Sequence, residues 1–196
     1  MGLRLERFAS GAEWLRRAAD DWARRLAACP TLRMGVSVGL WPGRLYAAMT
    51  AACRAGRVSF ARAEVFLLEE YGGLDRDDPG RGAAFMDRFL LRHVDLPPDR
   101  FHVPDVDNAD AAAAAADYDA RLAGGLDWAL APVGGDGRVG WHAPGRRPPA
   151  DTSRLAVPPS MIAEVTAAVP HDRFPTWGLA VGWETFRRAK ELWLLA

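Results

Sequence analysis

Four consecutive runs of the sequence decide its fold class: Leu32-Thr-Arg-Met-Gly-Val-Ser-Val38, Gly39-Leu-Trp-Pro42, Leu45-Tyr-Ala-Ala-Met-Thr-Ala-Ala-Cys53 and Ala63-Glu-Val-Phe-Leu-Leu68. The first and the last are short and apolar, which predicts buried strands, whereas the third has apolar residues at helical spacing. The second run is rich in Gly and Pro and predicts a turn. A strand, a helix and another strand in this order are typical of a parallel sheet.

The same alternation continues outward from these runs to both ends of the chain. Further helices are predicted at Gly11–Ala28, with Ser10 as N-cap, at Ala83–His93, at Asp107–Leu122 and from Met161 to Val169. Further strands are predicted at Arg100–Val103, Leu126–Ala131, Leu155–Val157, Trp177–Val181 and Leu192–Leu195, and Glu69–Gly82 is predicted as a polar loop. We therefore expect an α/β fold, Rossmann-like and doubly wound, with a mainly parallel sheet in a single domain that spans residues 1–196.

Composition excludes several classes of function. Lys+Arg and Asp+Glu number 25 each, so the formal net charge is zero, and the basic excess typical of a nucleic-acid-binding protein is absent. No run is long and apolar enough to span a bilayer, and the first residues do not resemble a secretory signal. The two cysteines form no disulfide framework, and Cys and His lack metal-ligand spacing. We expect a cytoplasmic protein without metal or cofactor, and without nucleic-acid or membrane partners.

Three loops that follow predicted strands carry the side chains of chemical interest: residues 39–43, 69–74 and 132–143. Ligands of a doubly wound sheet bind beyond the carboxyl ends of its strands, so these loops are expected to form one cleft. Glu69 and Glu70 are adjacent at a strand end and should point to opposite faces, so that one of them enters the cleft. A carboxylate shielded from water has a raised pKa and suits proton transfer. The alternative is a solvated turn with an incidental pair of acids.

The third loop contains an acid among glycines and a histidine shortly after it. Asp136 lies in Gly134-Gly135-Asp136-Gly137, where glycines allow a ligand to approach the backbone closely. This acid could orient a sugar hydroxyl or a catalytic side chain, or it could cap its own turn. His142 could move protons near neutral pH, or it could be a packed side chain. Trp41 and Trp141 lie in the glycine-rich loops and could stack on a sugar.

Ordered motifs from about Met34 to the C-terminus resemble those of the glucosamine-6-phosphate deaminase and 6-phosphogluconolactonase superfamily, with the deaminase branch the more similar. They are Gly35-Val-Ser-Val-Gly39-Leu-Trp-Pro42 with Leu45-Tyr46, Leu68-Glu-Glu-Tyr-Gly-Gly-Leu74, Val94-Asp-Leu-Pro-Pro-Asp-Arg-Phe-His102, Gly134-Gly-Asp-Gly-Arg-Val-Gly-Trp-His-Ala-Pro-Gly145 and Leu179-Ala-Val-Gly182. The resemblance implies the expected α/β fold. It places Glu69 where the family has a proton-abstracting aspartate, and residues 39–41 in the phosphate loop.

Other positions depart from the family's pattern. Val38, Leu40 and Trp41 stand where the resemblance implies hydroxyl side chains that hold a phosphate. Arg138 stands at the position of the family's ring-opening histidine, and Ala143 at that of its supporting glutamate. A phosphate in this loop would lose several charge-assisted hydrogen bonds, each worth roughly 1.5–3 kcal/mol. These departures argue against deamination of an amino-sugar phosphate as such.

Three functions remain compatible with these residues. The first is a diverged isomerase-type enzyme that transfers a proton next to a carbonyl of a sugar or sugar-like substrate. The second is a non-catalytic sugar-binding or regulatory relative. The third is a sugar-phosphate enzyme of the deaminase or lactonase type, with a rebuilt phosphate site that uses Arg44, Arg138 or Arg146.

The first function assigns roles to particular residues. The catalytic candidates are Glu69, Asp136, His142 and Arg138. The expected substrate contacts come from the three loops: Gly39, Leu40, Trp41, Glu70, Tyr71, Gly135, Gly137 and Trp141. A homo-oligomer is also expected, because the apolar edge of the last strand needs cover.

Overall fold

The structure is a computed structural model, described over residues 4–162 and 174–196 and without the side chains of Leu40 and Trp41. Its helices are α1 (Gly11–Ala28), α2 (Leu40–Arg54), α3 (Gly82–Phe89), α4 (Ala111–Leu122) and α5 (Trp183–Arg188). Its strands are β1 (Arg33–Val36), β2 (Glu64–Leu67), β3 (Glu69–Gly72), β4 (Phe101–His102), β5 (Trp128–Pro132), β6 (Ser153–Ala156), β7 (Trp177–Ala180) and β8 (Leu192–Leu195). Within these described ranges, no helix is both long and apolar enough to cross a membrane.

Five strands form the central sheet, in the order β4-β2-β1-β5-β8, and every neighbouring pair is parallel. Residues of β1 alternate between two cores. Met34 and Val36 face a core that α1 and α2 cover, whereas Gly35 lies against Leu68 and Leu126 on the α4 side. Helices therefore cover both faces of a mainly parallel sheet, and the predicted doubly wound α/β fold is confirmed.

Local signals explain the first helix. The Ser10 side chain accepts a hydrogen bond from Glu13 N at the start of α1, as predicted. The apolar stripe of the helix carries Trp22, which is fully buried and stacks on Trp128 of the sheet. The Trp22 indole N–H donates to Met34 Sδ, so the polar atom of this large side chain is satisfied within the core. This packing attaches α1 to β1 and β5.

Helix α2 begins five residues earlier than the predicted helix. The predicted turn at Gly39–Pro42 is therefore wrong, because Leu40 to Pro42 form the first turn of α2 and Gly43 N donates to Gly39 O. A proline is tolerated in a first helical turn, where the missing N–H has no intrahelical partner. Gly39 adopts a φ of 142°, which a residue with a side chain rarely adopts.

A second sheet of three strands, β3-β7-β6, lies beside the central one and is antiparallel. Its first strand corrects the prediction of a polar loop over Glu69–Gly82. All four residues of β3 are buried, because the chain passes from the central sheet into the second sheet after Leu68. The predicted strand at Trp177–Val181 is present as β7, but it belongs to this second sheet. The helix predicted from Met161 to Val169 falls largely outside the described residues.

Candidate active site

The site lies where the chain passes from the central sheet into the second sheet. Leu68 N donates to Val36 O, and Leu68 O accepts from Val181 N, so this residue joins β2, β1 and the end of β7. The next residue, Glu69, starts β3 opposite Ala180. Its side chain is thereby directed to the carboxyl end of β1, the edge at which ligands bind in such sheets.

Glu69 is held by the segment that connects β1 to α2. Its Oε1 accepts a hydrogen bond from Val38 N at 3.1 Å, and its Oε2 accepts one from Ser37 Oγ at 3.0 Å. Only 3% of the residue is exposed. Burial raises the pKa of this carboxyl to about 8, although both hydrogen bonds favour its charged form. A carboxyl that titrates near neutral pH can both accept and return a proton.

Glu70 points the other way, as the alternation of a strand requires. Its Oε1 accepts from Tyr71 N and Gly82 N, and its Oε2 accepts from Ala83 N, at 2.7–2.8 Å. It is buried, and burial raises its pKa even though these amides and the nearby Arg81 favour the charged form. The structure therefore places this carboxylate at the N-terminus of α3, where it satisfies amides that the helix itself leaves unpaired. It does not place it in the cleft that was expected to bind the substrate.

Tyr71 and Trp141 bring the second and third loops together. Their ring centroids are 5.2 Å apart, and both residues are buried. The indole ring lies on Gly178 of β7, where an added Cβ would be 2.6 Å from the Trp141 ring. The Trp141 Nε1 atom is buried and has no hydrogen-bond partner among the described residues. These two candidate substrate contacts thus pack on each other in the structure.

The glycine-rich loop is organised around an ion pair. Asp136 Oδ1 accepts from the backbone N of Arg138 at 3.2 Å and from its Nη1 at 2.9 Å. Asp136 Oδ2 accepts from Ser160 Oγ at 2.7 Å, and that hydroxyl accepts in turn from the guanidinium. The Ser160 hydrogen bond, followed by those from Arg138, lowers the pKa of the exposed Asp136 carboxyl to about 2. Sequence patterns did not indicate Ser160, because it lies 24 residues from its partner.

The glycines of this loop differ in their surroundings. A Cβ on Gly134 would lie 2.1 Å from Arg138 Nη1, so the guanidinium occupies the space beside this residue. Gly135 has open space around its Cα, and Gly137 adopts a φ of 82° that favours glycine. Of the two predicted ligand-contact glycines, Gly135 therefore has room beside it for another molecule.

His142 lies apart from the Asp136–Arg138 ion pair and contacts the end of β7 and helix α5. Its Nε2 donates to Val181 O at 2.9 Å, because a carbonyl can only accept. The ring is buried and lies edge-on to Trp183 and Phe186. Burial lowers its pKa, so the imidazole is neutral at neutral pH. Asp136 bonds to Arg138 and Ser160 and not to His142, so the catalytic candidate that this acid contacts is Arg138.

The first loop is described by its backbone. Gly39 directly precedes α2, and Leu40 and Trp41 are the first residues of that helix. Their side chains lie outside the described part of the structure, so their predicted substrate contacts stay predictions. Across the described ranges, no group of three His, Cys, Asp or Glu side chains is arranged to hold a metal ion.

Comparison with known families assigns this arrangement to one of them. A family model described as glucosamine-6-phosphate isomerases/6-phosphogluconolactonase matches residues 9–196. The chain belongs to this family. The resemblance stated from the sequence motifs is thus confirmed over nearly the whole chain.

Relatives of this glucosamine-6-phosphate isomerase/6-phosphogluconolactonase family member include curated enzymes. The glucosamine-6-phosphate deaminase of Lysinibacillus sphaericus is 29% identical over 184 residues, which cover 91% of this chain and 77% of the relative. The deaminase of Beutenbergia cavernae is 32% identical over 183 residues, which cover 91% of this chain and 70% of the relative. The family therefore comprises sugar-phosphate enzymes, and these relatives are longer than the present chain.

Solved structures show the same fold. A monomeric glucosamine-6-phosphate deaminase superposes with a TM-score of 0.89 at 23% identity, over 98% of this chain and 81% of that one. The 6-phosphogluconolactonase of Trypanosoma brucei superposes with a TM-score of 0.73 at 16% identity, over 96% and 80% of the two chains. Both branches of the family thus share the architecture of this member.

Proposed function

We propose that this family member is a sugar isomerase/deaminase-type enzyme in which Glu69 transfers a proton at the carbon next to a carbonyl. The observation that carries the proposal is the position of this carboxyl. It lies at the carboxyl end of the central sheet, is held by Ser37 and Val38, and has a pKa of about 8. General acid–base catalysis is most effective when the pKa of the group lies near the working pH.

The proposed step conserves atoms and charge. The ionised Glu69 carboxylate removes a proton from the carbon adjacent to the carbonyl, and the C–H bond electrons move into an enediolate. The same carboxyl, now protonated, returns this proton to the former carbonyl carbon. The hydroxyl proton of the adjacent carbon passes to the former carbonyl oxygen at the same stage, so the carbonyl moves by one carbon and the enediolate double bond is lost. No oxidant, reductant or metal is needed. Because a protonated Glu69 can exchange with water, some of the returned hydrogen comes from solvent.

Arg138 is proposed to stabilise the oxygen on which negative charge develops. A buried guanidinium at the carboxyl end of β5 is a fixed positive charge, and such preorganised charges stabilise developing oxyanions. Asp136 and Ser160 hold it in place. The neutral His142 donates its one N–H to Val181 O, so its Nδ1 can only accept a hydrogen bond, and the proposed partner is a substrate hydroxyl.

Solvent deuterium uptake tests the proposal. The protein is incubated in D₂O with free and 6-phosphorylated aldoses, ketoses and amino sugars, and proton NMR follows the carbon next to the carbonyl. We expect exchange with at least one sugar, and a loss of roughly 100-fold or more in Glu69→Gln, as is typical when a general base is removed. The exchange rate should rise with pH through about 8, where Glu69 ionises.

The neighbouring acid provides the matched control. Glu70→Gln changes the same residue type one position along, in a side chain that faces α3 instead of Ser37. Once folding is verified by thermal melting, its exchange rate should change far less than that of Glu69→Gln, because Glu70 acts on Glu69 only through its charge. Equal exchange by wild type and Glu69→Gln would refute the assignment of the base.

A second candidate function is a non-catalytic sugar-binding or regulatory protein. It is favoured by the same burial of Glu69, both of whose oxygens already accept hydrogen bonds from the protein. This function would be established if no sugar exchanged hydrogen with solvent while some of the sugars raised the melting temperature of the protein. The phosphorylated and free sugars of the panel separate a sugar phosphate from a neutral sugar as the ligand.

The expectation of a homo-oligomer stays a prediction. Strand β8 is an edge of the central sheet, and its Leu194 is exposed. The solved deaminase with the TM-score of 0.89 is described as monomeric, so the fold itself does not require association.

A further inference from the structure

A chain of buried polar contacts reaches Glu69 from helix α2. The Tyr46 hydroxyl donates to Ser37 O at 2.6 Å, and the Ser37 hydroxyl donates to Glu69 Oε2 at 3.0 Å. The next backbone amide, that of Val38, donates to the other carboxyl oxygen. Tyr46 and Ser37 have no exposed surface at all. The residue pair Ser37–Val38, which follows β1, therefore connects β1 to Tyr46 of α2 and to Glu69 of β3.

We propose that Ser37 and Tyr46 are positioning residues for the proton-transferring carboxyl of Glu69. Ser37 and Val38 each hold one oxygen, so together they fix the plane of the carboxyl group. Tyr46 fixes the backbone of Ser37 and thereby holds both donors in place. The catalytic meaning of this inference rests on the proposed function, but the positioning itself can be measured without any substrate.

The need for such a device follows from the glutamate side chain. Three side-chain torsions lie between its backbone and its carboxyl oxygens, and ordering such a side chain on burial costs rotamer entropy. Two donors from consecutive residues select one arrangement of the oxygens. Both donors also favour the ionised form, which burial opposes. Positioning and proton affinity are thus controlled by the same two hydrogen bonds.

The chain provides a matched comparison in Tyr118 on the opposite side of the sheet. This tyrosine is also buried, and its hydroxyl donates to Leu67 O and His102 O. It makes no hydrogen bond to Ser37, Val38 or Glu69 in the described structure. Removing its hydroxyl therefore causes the same kind of loss in the core without touching the contacts of Glu69.

The experiment titrates Glu69 in the substrate-free protein by carbon-detected NMR of the glutamate carboxyl groups, with the resonance assigned by its loss in Glu69→Gln. The variants are Ser37→Ala, Tyr46→Phe and Tyr118→Phe. Ser37→Ala should raise the midpoint of Glu69 by about half a unit to one unit, because one hydrogen bond to the charged form is lost. Tyr46→Phe should raise it by a smaller amount, and Tyr118→Phe should leave it unchanged.

Two results would overturn the inference: a Glu69 midpoint in Ser37→Ala equal to that of the wild type, or a shift in Tyr118→Phe as large as that in Tyr46→Phe. Glu70 is the charged group whose field also acts on Glu69, so its resonance is followed in the same spectra to separate the titration of Glu70 from that of Glu69. Deuterium exchange is then measured in each variant, and its pH profile should move with the Glu69 midpoint. Shifted midpoints without any exchange in the wild type would refute the proposed function and leave the positioning intact.

Discussion

Two carboxyl groups of this protein follow strands of the same sheet, and yet their pKa values are shifted in opposite directions from the ordinary value. Glu69 comes after β2, is buried without a salt bridge to any described residue, and has a pKa raised to about 8. Asp136 comes after β5, is exposed, and has a pKa lowered to about 2. Burial disfavours the charged form of the first, whereas a hydroxyl and a guanidinium favour the charged form of the second. Position at a strand end does not by itself decide what an acid can do.

The difference assigns the two acids distinct tasks. A carboxyl that titrates near pH 8 can take up and release a proton under neutral conditions, which Asp136 cannot. Asp136 remains ionised and holds the Arg138 side chain, which is almost completely buried. The two regions are therefore complementary in the proposed mechanism: one moves the proton and the other organises the positive charge.

The largest expected difference between Glu69 and Asp136 is in how each contributes to the pH dependence of the free energy of unfolding. The folded pKa of Glu69 is raised from 4.5 to about 8, so between these values the folded state binds a proton that the unfolded state releases. The free energy of unfolding should therefore fall as pH rises through this window, by at most about 1.4 kcal/mol per pH unit from this group. Urea titrations at several pH values measure it.

Two variants isolate the contribution of each acid to that slope. Glu69→Gln should reduce this slope and leave the part that the raised pKa of Glu70 contributes in the same direction. The variant should also be more stable than the wild type above pH 8, where the wild type must bury the Glu69 charge. Asp136→Asn should leave the slope in place, because Asp136 titrates near pH 2. A wild-type slope that persists in Glu69→Gln would contradict the assignment to this residue.

A smaller effect is expected from two adjacent glycines of the Asp136 region. Gly134→Ala places a Cβ where the Arg138 guanidinium lies, 2.1 Å from Nη1. The guanidinium must then leave Asp136 and Ser160, and we expect a loss of roughly 1–3 kcal/mol in the free energy of unfolding. Gly135→Ala meets no atom within 4 Å and should be neutral or stabilising by about 0.4–1 kcal/mol.

Chemical denaturation of both glycine variants at one pH provides the comparison. Equal stability of Gly134→Ala and Gly135→Ala would show that the guanidinium is not confined beside Gly134. The region around Asp136 would then lack the fixed positive charge that the mechanism assigns to it.

The smallest effect concerns one hydroxyl. Ser160 provides the leading cause of the lowered Asp136 pKa, so Ser160→Ala should raise this pKa toward its ordinary value while Arg138 still holds it below. Carbon-detected titration of the aspartate carboxyl measures the shift. The Ser153 hydroxyl donates to the backbone oxygen of Asp151, so Ser153→Ala should leave the pKa of Asp136 unchanged. An unchanged pKa in Ser160→Ala would remove Ser160 from the pair.

Local patterns predicted much of the fold correctly. The α1 bounds and the Ser10 cap follow from side chains within one helical turn of each other. Strand β3 was missed because Glu69-Glu70-Tyr71-Gly72 has a polar sequence, and its partner β7 lies more than one hundred residues away. The glutamates are tolerated there because every carboxyl oxygen accepts hydrogen bonds inside the protein.

The candidate site was also predicted in part. The pattern of the sequence indicated three loops with Glu69, Asp136 and Trp141 among their residues. In the structure Tyr71 contacts Trp141, which joins the second and third loops, and Glu69 accepts a hydrogen bond from Val38, directly before the first loop. The sequence did not indicate Ser37 or Ser160 as hydrogen-bond partners of the acids, or Tyr46 as a partner of Ser37. Each of these contacts joins separate elements, and a pattern along the chain contains no information about their distance in space.

By itself, the sequence determined the order of strands and helices, the α/β class and the family, because periodicity and motifs are properties of neighbouring residues. Only the tertiary structure decided the second sheet, the opposite directions of Glu69 and Glu70, and the pairing of Asp136 with Arg138 and Ser160. It also decided the protonation of the two acids at the strand ends. A pKa depends on burial and on the groups within a few ångströms, and these are set when distant parts of the chain pack together.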